Sequence, residues 1–353
     1  MRSQIRRLSV IFKGSSNTFP LWVAVLLPAV GIASLHLGAK SQGEYEFRDL
    51  AAEQSGATFA WDINHHGAVV GGGGFPFLYR DGVFSNLGTL GGNDGTAHGI
   101  NDRGDIVGND TVAGGNQAHA FLFRDGRLID LGVLPGGAGG GAFEINETGV
   151  IVGRSSSSAA PHSFRWEDSR VSDIGKLGGI GSYATAINNK GWIVGSSNFG
   201  PDRSLYHAYL WRSGRFTDLG TLGGANSFAH DINDKGAIVG EAELGPGGRR
   251  HAFLWRKGVM QDLGALGERS AAYGINNRRW VVGWSRLPNG SAEQEAAFLW
   301  RNGTLINLDA FAPSDWELSV ATAINDRGQI VGYGHYKGVI PGGLRAFLLS
   351  PSN

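Results

Sequence analysis

The 353-residue chain contains no cysteine, and its lysines and arginines equal its aspartates and glutamates at 31 each. The lack of cysteine excludes disulfides, thiol catalysis and cysteine-ligated metal sites. The lack of a basic excess gives no indication of a nucleic-acid partner, because attraction to phosphate backbones needs clustered positive charge. P-loop, nucleophile-elbow and zinc-protease motifs are also absent from the sequence. We therefore expect no metal and no cofactor.

The first 39 residues differ from the rest of the chain. They contain no acidic residue and four basic ones: Arg2, Arg6, Arg7 and Lys13. An apolar run follows from residue 21 to about residue 37, an order typical of a secretory signal peptide. The run is near the lower limit for crossing a bilayer, so an N-terminal membrane anchor is the alternative. We expect residues 1–39 to direct export and residues 40–353 to form one domain.

The remainder of the chain is repetitive. Ile-Asn occurs seven times at intervals of 37 to 49 residues, each time with an alanine three positions before the isoleucine. Each repeat contains four short runs of strand-forming residues, which read A-x-x-I-N, I-V-G, H-A-F-L-W and D-L-G. The N-D-x-G and R-x-G segments between them supply the Asn, Asp and Gly that tight hairpins need. This pattern predicts an all-β fold, a seven-bladed β-propeller of four-stranded antiparallel blades.

The two ends of the chain complement each other. The seventh repeat stops after its third strand, RAFLLSPSN, whereas EYEFRDLAA at 44–52 looks like a fourth strand that precedes the first repeat. An open ring would leave an unpaired strand edge. We therefore predict that the N-terminal strand 45–50 pairs with the last blade and closes the ring. Deletion of 44–50 should then greatly lower the melting temperature.

The Ile-Asn-x-x-Gly, His-Ala-Phe and D-L-G-x-L-G-G segments resemble those of the HAF family of extracellular repeat proteins, over roughly residues 45–349. The resemblance implies propeller-like repeats and a bacterial protein that is secreted, periplasmic or held at the cell envelope. It implies no activity and no catalytic residue.

The recurring His and Asp invite a catalytic interpretation. The Asp of D-L-G is replaced by Asn86 and Asn307 in two repeats, and the His of H-A-F by Phe75, Ala296 and Arg345 in three. Asparagine keeps the shape and an acceptor oxygen but loses the charge, which a turn tolerates and a general base does not. A catalytic residue is also needed at a single site, whereas these positions recur around the whole predicted ring. We interpret both positions as hydrogen-bonding parts of the scaffold.

Function is then expected where the repeats differ. The loops between strands 2 and 3 and the crossovers between strands 4 and 1 vary and share one face of the predicted disc, where binding residues usually lie. The residue after the recurring alanine varies as well, and either packs between blades or forms a collar around the channel mouth. The candidate binding residues are Trp316, Trp61, His98, His230, Tyr273, Asp94, Asp315, Arg249 and Arg250. Trp316 is the foremost of them, because an exposed tryptophan often anchors a sugar or a protein.

These observations favour an exported, non-catalytic binding or scaffold propeller that acts as a monomer. Its ligand would be an extracellular glycan or an envelope protein, with no nucleic acid and with membrane contact only through an N-terminal anchor. The alternative is an extracellular glycan-acting hydrolase or lyase on the same face, with Asp94, Asp315 or Glu317 as acids. A surface structural element that self-associates is a third hypothesis.

Overall fold

The computed structural model describes residues 43–52, 56–115, 117–157, 160–200, 204–245, 247–288, 294–338 and 343–352. The leader predicted over 1–39 lies outside these residues. The described part contains 28 β-strands and one short 3-10 helix, η1 (Leu308–Phe311), and no α-helix. No helix in it is long and apolar enough to cross a membrane. The prediction of an all-β protein is confirmed.

One strand, β1 (Tyr45–Asp49), precedes the repeats. Unit 1 consists of β2 (Phe59–Ile63), β3 (Val69–Gly72), β4 (Phe77–Arg80) and β5 (Val83–Asn86). Unit 2 consists of β6 (Gly91–Ile100), β7 (Ile106–Val112), β8 (Ala118–Arg124) and β9 (Arg127–Gly132). Unit 3 consists of β10 (Gly137–Ile145), β11 (Ile151–Ser157), β12 (His162–Glu167) and β13 (Arg170–Gly175).

The later units follow the same plan. Unit 4 consists of β14 (Ser182–Ile187), β15 (Ile193–Asn198), β16 (Tyr206–Arg212) and β17 (Arg215–Asp218). Unit 5 consists of β18 (Ser227–Ile232), β19 (Ile238–Glu243), β20 (Arg250–Arg256) and β21 (Val259–Gly264). Unit 6 consists of β22 (Ser270–Ile275), β23 (Val281–Arg286), β24 (Glu295–Arg301) and β25 (Thr304–Asn307). Unit 7 consists of β26 (Trp316–Ile324), β27 (Ile330–Tyr336) and β28 (Leu344–Pro351).

Each unit is an antiparallel meander in which successive strands pair. Units 3 to 6 are separate four-stranded sheets, whereas units 1 and 2 are joined by one pairing of β3 with β6, between Gly72 and Thr96. The fourth strand of the unit 7 sheet is β1, which runs antiparallel to β28 from Tyr45 opposite Pro351 to Asp49 opposite Phe347. The N-terminal segment therefore pairs with the last strand of unit 7, as its resemblance to a fourth strand predicts.

The asparagine of each Ile-Asn pair links neighbouring units. Its side-chain amide donates to the backbone carbonyl of the next such asparagine at 2.9 to 3.3 Å. The series runs through Asn64, Asn101, Asn146, Asn188, Asn233, Asn276 and Asn325. Asn325 in turn donates to the carbonyl of Asn64 at 3.0 Å, so the hydrogen bonds form a cycle. The first strands of the units therefore surround a common centre.

The recurring glycine of I-V-G follows from a bulge in the first strand of each unit. In unit 5 the register of β18 against β19 shifts between Ala229 and Asp231. This shift brings the Phe228 carbonyl so close to Gly240 that a Cβ there would lie 1.9 Å from the oxygen. A bulge of this kind adds one residue to a strand and bends it. Only glycine leaves room for that approach.

The apolar side chains of strands 2 and 3 pack between successive units. Val194 and Leu210 of unit 4, for example, belong to one buried cluster with Ile232 and Phe253 of unit 5. Burial of such side chains stabilises a protein by about 1.5–3 kcal/mol each. The units are thus held together by apolar cores between the sheets as well as by the asparagine cycle.

The His and Asp of the repeats are hydrogen-bonded to each other. The Nδ1 atom of each H-A-F histidine lies 2.6 to 3.0 Å from the D-L-G carboxylate of the same unit. In unit 7 the guanidinium of Arg345 replaces the histidine and contacts Asp49 at 3.0 Å. Where the partner is Phe75 or Ala296, the aspartate is an asparagine instead, at positions 86 and 307. Among these seven units, the charged aspartate therefore occurs where a histidine or an arginine faces it, and the uncharged asparagine occurs in the other two.

All seven Asp or Asn side chains at this position also accept the backbone N–H two residues further on. This is the turn geometry that both residue types favour. The structural interpretation of both positions therefore agrees with the contacts. Asparagine is tolerated because the turn bond needs only the oxygen, and it occurs where the histidine is missing.

Candidate ligand-binding face around the central cavity

The meander order gives each unit two distinct ends. The hairpins between strands 1 and 2 and between strands 3 and 4 lie at one end, which we call the hairpin face. The loops between strands 2 and 3 and the crossovers between units lie at the opposite end, which we call the loop face. The buried asparagine cycle lies at the hairpin end of the first strands, because each asparagine directly follows its strand.

A cavity of about 340 Å³ lies at the centre, lined by the first strands and hairpins of all the units. It is strongly acidic, and its lining residues include no lysine and no arginine. The carboxyl groups that border it are Asp62, Asp102, Glu144, Glu147, Asp231, Asp234 and Asp326. Sequence reasoning missed this concentration of acids. The signal was present, because four of them follow the Ile-Asn asparagine directly and three precede the isoleucine.

Three of these carboxyl groups lie deepest, immediately before the Ile-Asn pairs. Asp62 accepts the N–H groups of Ile63 and Ile100 at 2.7 and 2.9 Å. Asp231 accepts those of Ile232 and Ile275 at 2.6 and 2.8 Å. The second bond of each aspartate crosses to the first strand of the next unit. Both aspartates therefore help to hold adjacent first strands together.

Burial away from bulk water raises the pKa of each of the three groups. The backbone N–H bonds oppose the rise, but the pKa of Asp62 still reaches about 6 and that of Asp231 about 7. The pKa of Glu144 is raised well above its usual range, first by burial and then by the charge of Asp62. The cavity therefore holds carboxyl groups that exchange protons close to neutral pH. Among the described residues, no group of three acids or histidines is placed to hold a metal ion.

The residues after the recurring alanines contact one another around the cavity. The ring centroids of Trp61 and His98 are 6.0 Å apart, and those of His98 and Phe143 are 5.4 Å apart. His230 and Tyr273 are 5.0 Å apart. These contacts join successive units, as the packing interpretation predicts. Trp61, His98, His230 and Tyr273 also border the cavity, so the collar interpretation describes the same side chains.

Both cavity histidines are neutral near pH 7. Burial lowers the pKa of His230 to about 4, with a further contribution from the positive charge of Arg250. Burial lowers the pKa of His98 as well, and the hydrogen bond of its Nε2 to Asn109 at 2.6 Å opposes that shift. Neither histidine therefore neutralises the carboxyl groups below it.

A band of partly exposed aromatic residues continues this collar toward the loop face. We call it the aromatic band, and its members are Phe59, Trp61, His98, Phe143, Tyr183, Tyr206, Phe228 and Tyr333. Phe59 contacts Tyr333 of unit 7 with ring centroids 5.0 Å apart. The ring centroid of Tyr206 lies 6.2 Å from that of Tyr183 and 5.7 Å from that of Phe228, so Tyr206 links the two. Arginine side chains lie over several of these rings.

The structure corrects the foremost candidate of the sequence analysis. Trp316 is only 5% exposed and packs against Phe47 and Tyr336, with ring centroids 4.9 and 5.6 Å away. The prediction of an exposed tryptophan is wrong because β26 begins at Trp316 itself. The residue therefore belongs to the core between β26 and its neighbours and not to the preceding crossover.

The other predicted residues divide into two groups. Trp61, His98, His230 and Tyr273 come together at the cavity, whereas Asp94, Asp315, Arg249 and Arg250 do not line it. Asp94 and Asp315 are exposed, and the side chain of Arg249 lies 4.0 Å from Glu268. Arg250 lies over Phe228 of the aromatic band and 3.2 Å from Glu241. Glu317, the third acid of the enzyme hypothesis, is paired with Lys337 at 2.7 Å.

No protein-family model matches the chain, and no curated protein matches it. Several solved structures are similar, and three serve as examples. A fungal alcohol oxidase of the AA5 family in complex with copper is 11% identical, with a TM-score of 0.50 and coverage of 88% of this chain and 76% of the oxidase. TolB from Acinetobacter baumannii is 12% identical, with a TM-score of 0.43 and coverage of 84% of this chain and 64% of TolB.

The β-propeller domain of the Trilobed protease from Pyrococcus furiosus is 11% identical, with a TM-score of 0.42 and coverage of 84% of this chain and 83% of that domain. At this level of identity the likenesses concern fold alone. They assign no activity to this chain.

Proposed function

We propose that the chain is an exported, closed seven-bladed β-propeller that binds an extracellular glycan at the loop-face mouth of its central cavity. The aromatic band carries this proposal. Partly exposed aromatic rings offer flat apolar faces with polar groups beside them, a surface enriched at binding sites. Two members of the band, Trp61 and His98, also border the central cavity, and a concave site suits a small or extended ligand better than the flat surface of a protein.

Three contacts support the closed ring. The asparagine bonds return from Asn325 to Asn64, and β1 completes the sheet of unit 7. In addition, the Thr322 hydroxyl of unit 7 donates to the Ala60 carbonyl of unit 1 at 2.9 Å. The last and first units thus contact each other as the intermediate units do. The export part of the proposal rests on the basic and apolar leader and on the resemblance to HAF repeats.

The alternative, a glycan-acting hydrolase or lyase, is favoured by one observation. Asp62, Glu144 and Asp231 have raised pKa values in a cavity, as general acids often have. However, both oxygens of each aspartate already accept backbone N–H groups, and one bond of each joins two units. This scaffold role accounts for the aspartates without a reaction. We therefore place binding ahead of catalysis.

The test is calorimetric titration of the purified full chain with a set of bacterial and plant oligosaccharides, together with an assay for new reducing or unsaturated ends. We expect saturable binding without turnover. Tyr206→Ala should weaken it at least tenfold, because the ring joins Tyr183 and Phe228 in the band. Val259→Ala is the matched control, since Val259 is 66% exposed on the outer strand β21. Binding that Tyr206→Ala leaves unchanged would contradict the proposed site.

Turnover that is lost in Asp231→Asn would instead establish the enzyme. Export is tested separately by fractionating cells that express the full chain and sequencing the N-terminus of the recovered protein. We expect recovery outside the cytoplasm with cleavage near residue 39. Recovery of the intact chain in the membrane fraction would favour the anchor.

A further inference from the structure

A second cavity lies on the loop face between units 2 and 3. It has a volume of about 320 Å³, near the lower end of the range for small-molecule sites. Its lining combines polar side chains with glycine backbone and contains no carboxylate. The lining residues used below are Asn109, Gly139, Gly141, Phe143 and Arg154. We call this cavity the Arg154 cleft.

Glycines keep the cleft open. Gly141 occupies the position that Tyr183 and Phe228 occupy in units 4 and 5, since each directly precedes the recurring alanine. A Cβ at Gly141 would lie 3.2 Å from Cβ of Asn109, and one at Gly139 would lie 3.0 Å from the Ala118 carbonyl. An aromatic ring at Gly141 would fill this space. The aromatic band is therefore interrupted here by an empty volume.

Arg154 stands at this interruption with its charge unneutralised. Its guanidinium lies over the rings of Phe143 and Tyr183, 5.9 and 5.7 Å from their centroids. No carboxylate of the described residues lies within salt-bridge distance of it. Arg250 provides the contrast, because it lies over Phe228 in the same way but pairs with Glu241 and Glu243 at 3.2 and 3.7 Å. Two rings orient Arg154, and no acid of the described chain occupies its hydrogen-bond donors.

We infer that the Arg154 cleft binds the anionic group of an acidic sugar, a carboxylate or a sulfate. The planar guanidinium presents paired N–H donors that match two oxygens of such a group. Phe143, which lines the cleft beside Arg154, offers an apolar surface to the sugar ring. This inference rests on the proposed glycan function and specifies the ligand as anionic. The acids of the central cavity do not compete for the guanidinium, because none of them lines the cleft.

The experiment compares an oligouronate with the same oligomer after reduction of its carboxylates to alcohols, which removes the charge and keeps the ring. A sulfated oligosaccharide of equal length forms a third arm. We expect the full chain to bind the oligouronate or the sulfated oligomer at least tenfold more tightly than the reduced one, with affinity that falls as salt is raised. The arm with the higher affinity identifies the anionic group.

Arg154→Gln should reduce the preference for the anion to less than twofold. Arg212→Gln, the matched control, should leave it unchanged, because the Arg212 guanidinium lies over Trp192, 4.7 Å from the ring centroid, outside both the cleft and the aromatic band. A second variant, Gly141→Tyr, should block the cleft while leaving the guanidinium in place and should lower affinity for the acidic oligomer. Circular dichroism and melting curves exclude misfolding as the cause.

Equal binding of charged and reduced oligomers, or an anion preference that survives Arg154→Gln, would overturn the inference and leave the proposed glycan function standing. If no oligomer binds in any arm, the proposed function fails and the inference fails with it.

Discussion

Replacement of Asn233 by aspartate tests the asparagine cycle at a single atom. The side-chain oxygen of Asn233 accepts the N–H groups of Lys235 and Ala237 at 3.1 and 2.9 Å, and its amide donates to the Asn276 carbonyl at 2.9 Å. Aspartate can keep the two accepted bonds that shape the hairpin. In place of the amide N–H, however, it sets a carboxylate oxygen against the Asn276 carbonyl oxygen. Only the hydrogen bond between the two units is therefore lost.

The magnitude follows from the groups that lose partners. In Asn233→Ala the buried Ala237 N–H is left without its acceptor, and an unsatisfied buried group costs about 1–3 kcal/mol. The Asn276 carbonyl keeps a bond from the Arg279 N–H at 2.9 Å, so its loss is smaller. We expect Asn233→Ala to cost roughly 2–4 kcal/mol in free energy of unfolding. For a domain of this size that is a fall of roughly 3–6 °C in melting temperature.

Asn233→Asp should cost a similar amount at pH 8 but much less at pH 4. The facing carbonyl raises the pKa of the new carboxyl above its ordinary value of about 4 in the folded state. A raised carboxyl pKa means that stability is present at low pH and is lost as the pH rises through that pKa. Below it, the protonated carboxyl donates to the Asn276 carbonyl and replaces the lost amide bond.

The assay is thermal unfolding of both variants across pH, with Asn302→Asp as the control. Asn302 is exposed in a hairpin with a φ of 52°, where Asp81 and Asp125 occur naturally in other units, so this change should be neutral. Two results would contradict a stabilising bond between the units. One is a melting temperature of Asn233→Asp equal to that of the wild type at pH 8, and the other is a difference in melting temperature that does not diminish at low pH.

Three further outcomes follow from the same contacts. His251→Ala and Asp262→Asn should couple by roughly 0.5 kcal/mol in a double-mutant cycle of unfolding free energies, because either change alone removes the interaction between the two side chains; additive effects would refute the pairing. The raised pKa of Asp231 costs stability increasingly between about pH 4 and about pH 7, so the melting temperature of Asp231→Asn should rise relative to that of the wild type over this range; a difference between the two that does not change with pH would contradict this. Deletion of 44–50 should cost roughly 5 kcal/mol or more, because it removes buried Tyr45 and Leu50; calorimetry of the truncated chain that shows an unchanged melting temperature would exclude a structural role for β1.

The repeat pattern predicted the strands well because each run carries its own local signals. The hairpins are fixed by Asn, Asp and Gly, and the inter-unit core by alternating apolar residues, both of which a single repeat shows. The pairing of residues 45–50 with the last repeat could also be predicted. That repeat shows three strand patterns, and residues 45–50 show the pattern of the fourth strand.

The cavity could not be predicted in the same way. The bulge after Ala60 shifts the register before Asp62, so strict alternation along the strand misassigns the side chains that follow. Trp316 was misassigned for a related reason, since β26 begins earlier than the first strands of units 4 to 6 and takes the tryptophan into the core. The Arg154 cleft depends on two rings from different units, which no local pattern brings together.

The chain contains no cysteine, so an engineered disulfide can test whether β1 closes the ring. Glu46 lies opposite Ser350 in the β1–β28 pair, and directly opposed residues of antiparallel strands have the separation that a disulfide needs. The measurement is the fraction of intramolecular disulfide that forms in the Glu46→Cys, Ser350→Cys double variant under mild oxidation. The control pair is Glu46→Cys, Val259→Cys, because Val259 is exposed on unit 5. We predict nearly complete cross-linking of the first pair, none of the second, and a raised melting temperature. Free thiols, or disulfides that form only between molecules, in the first pair would contradict the closed ring.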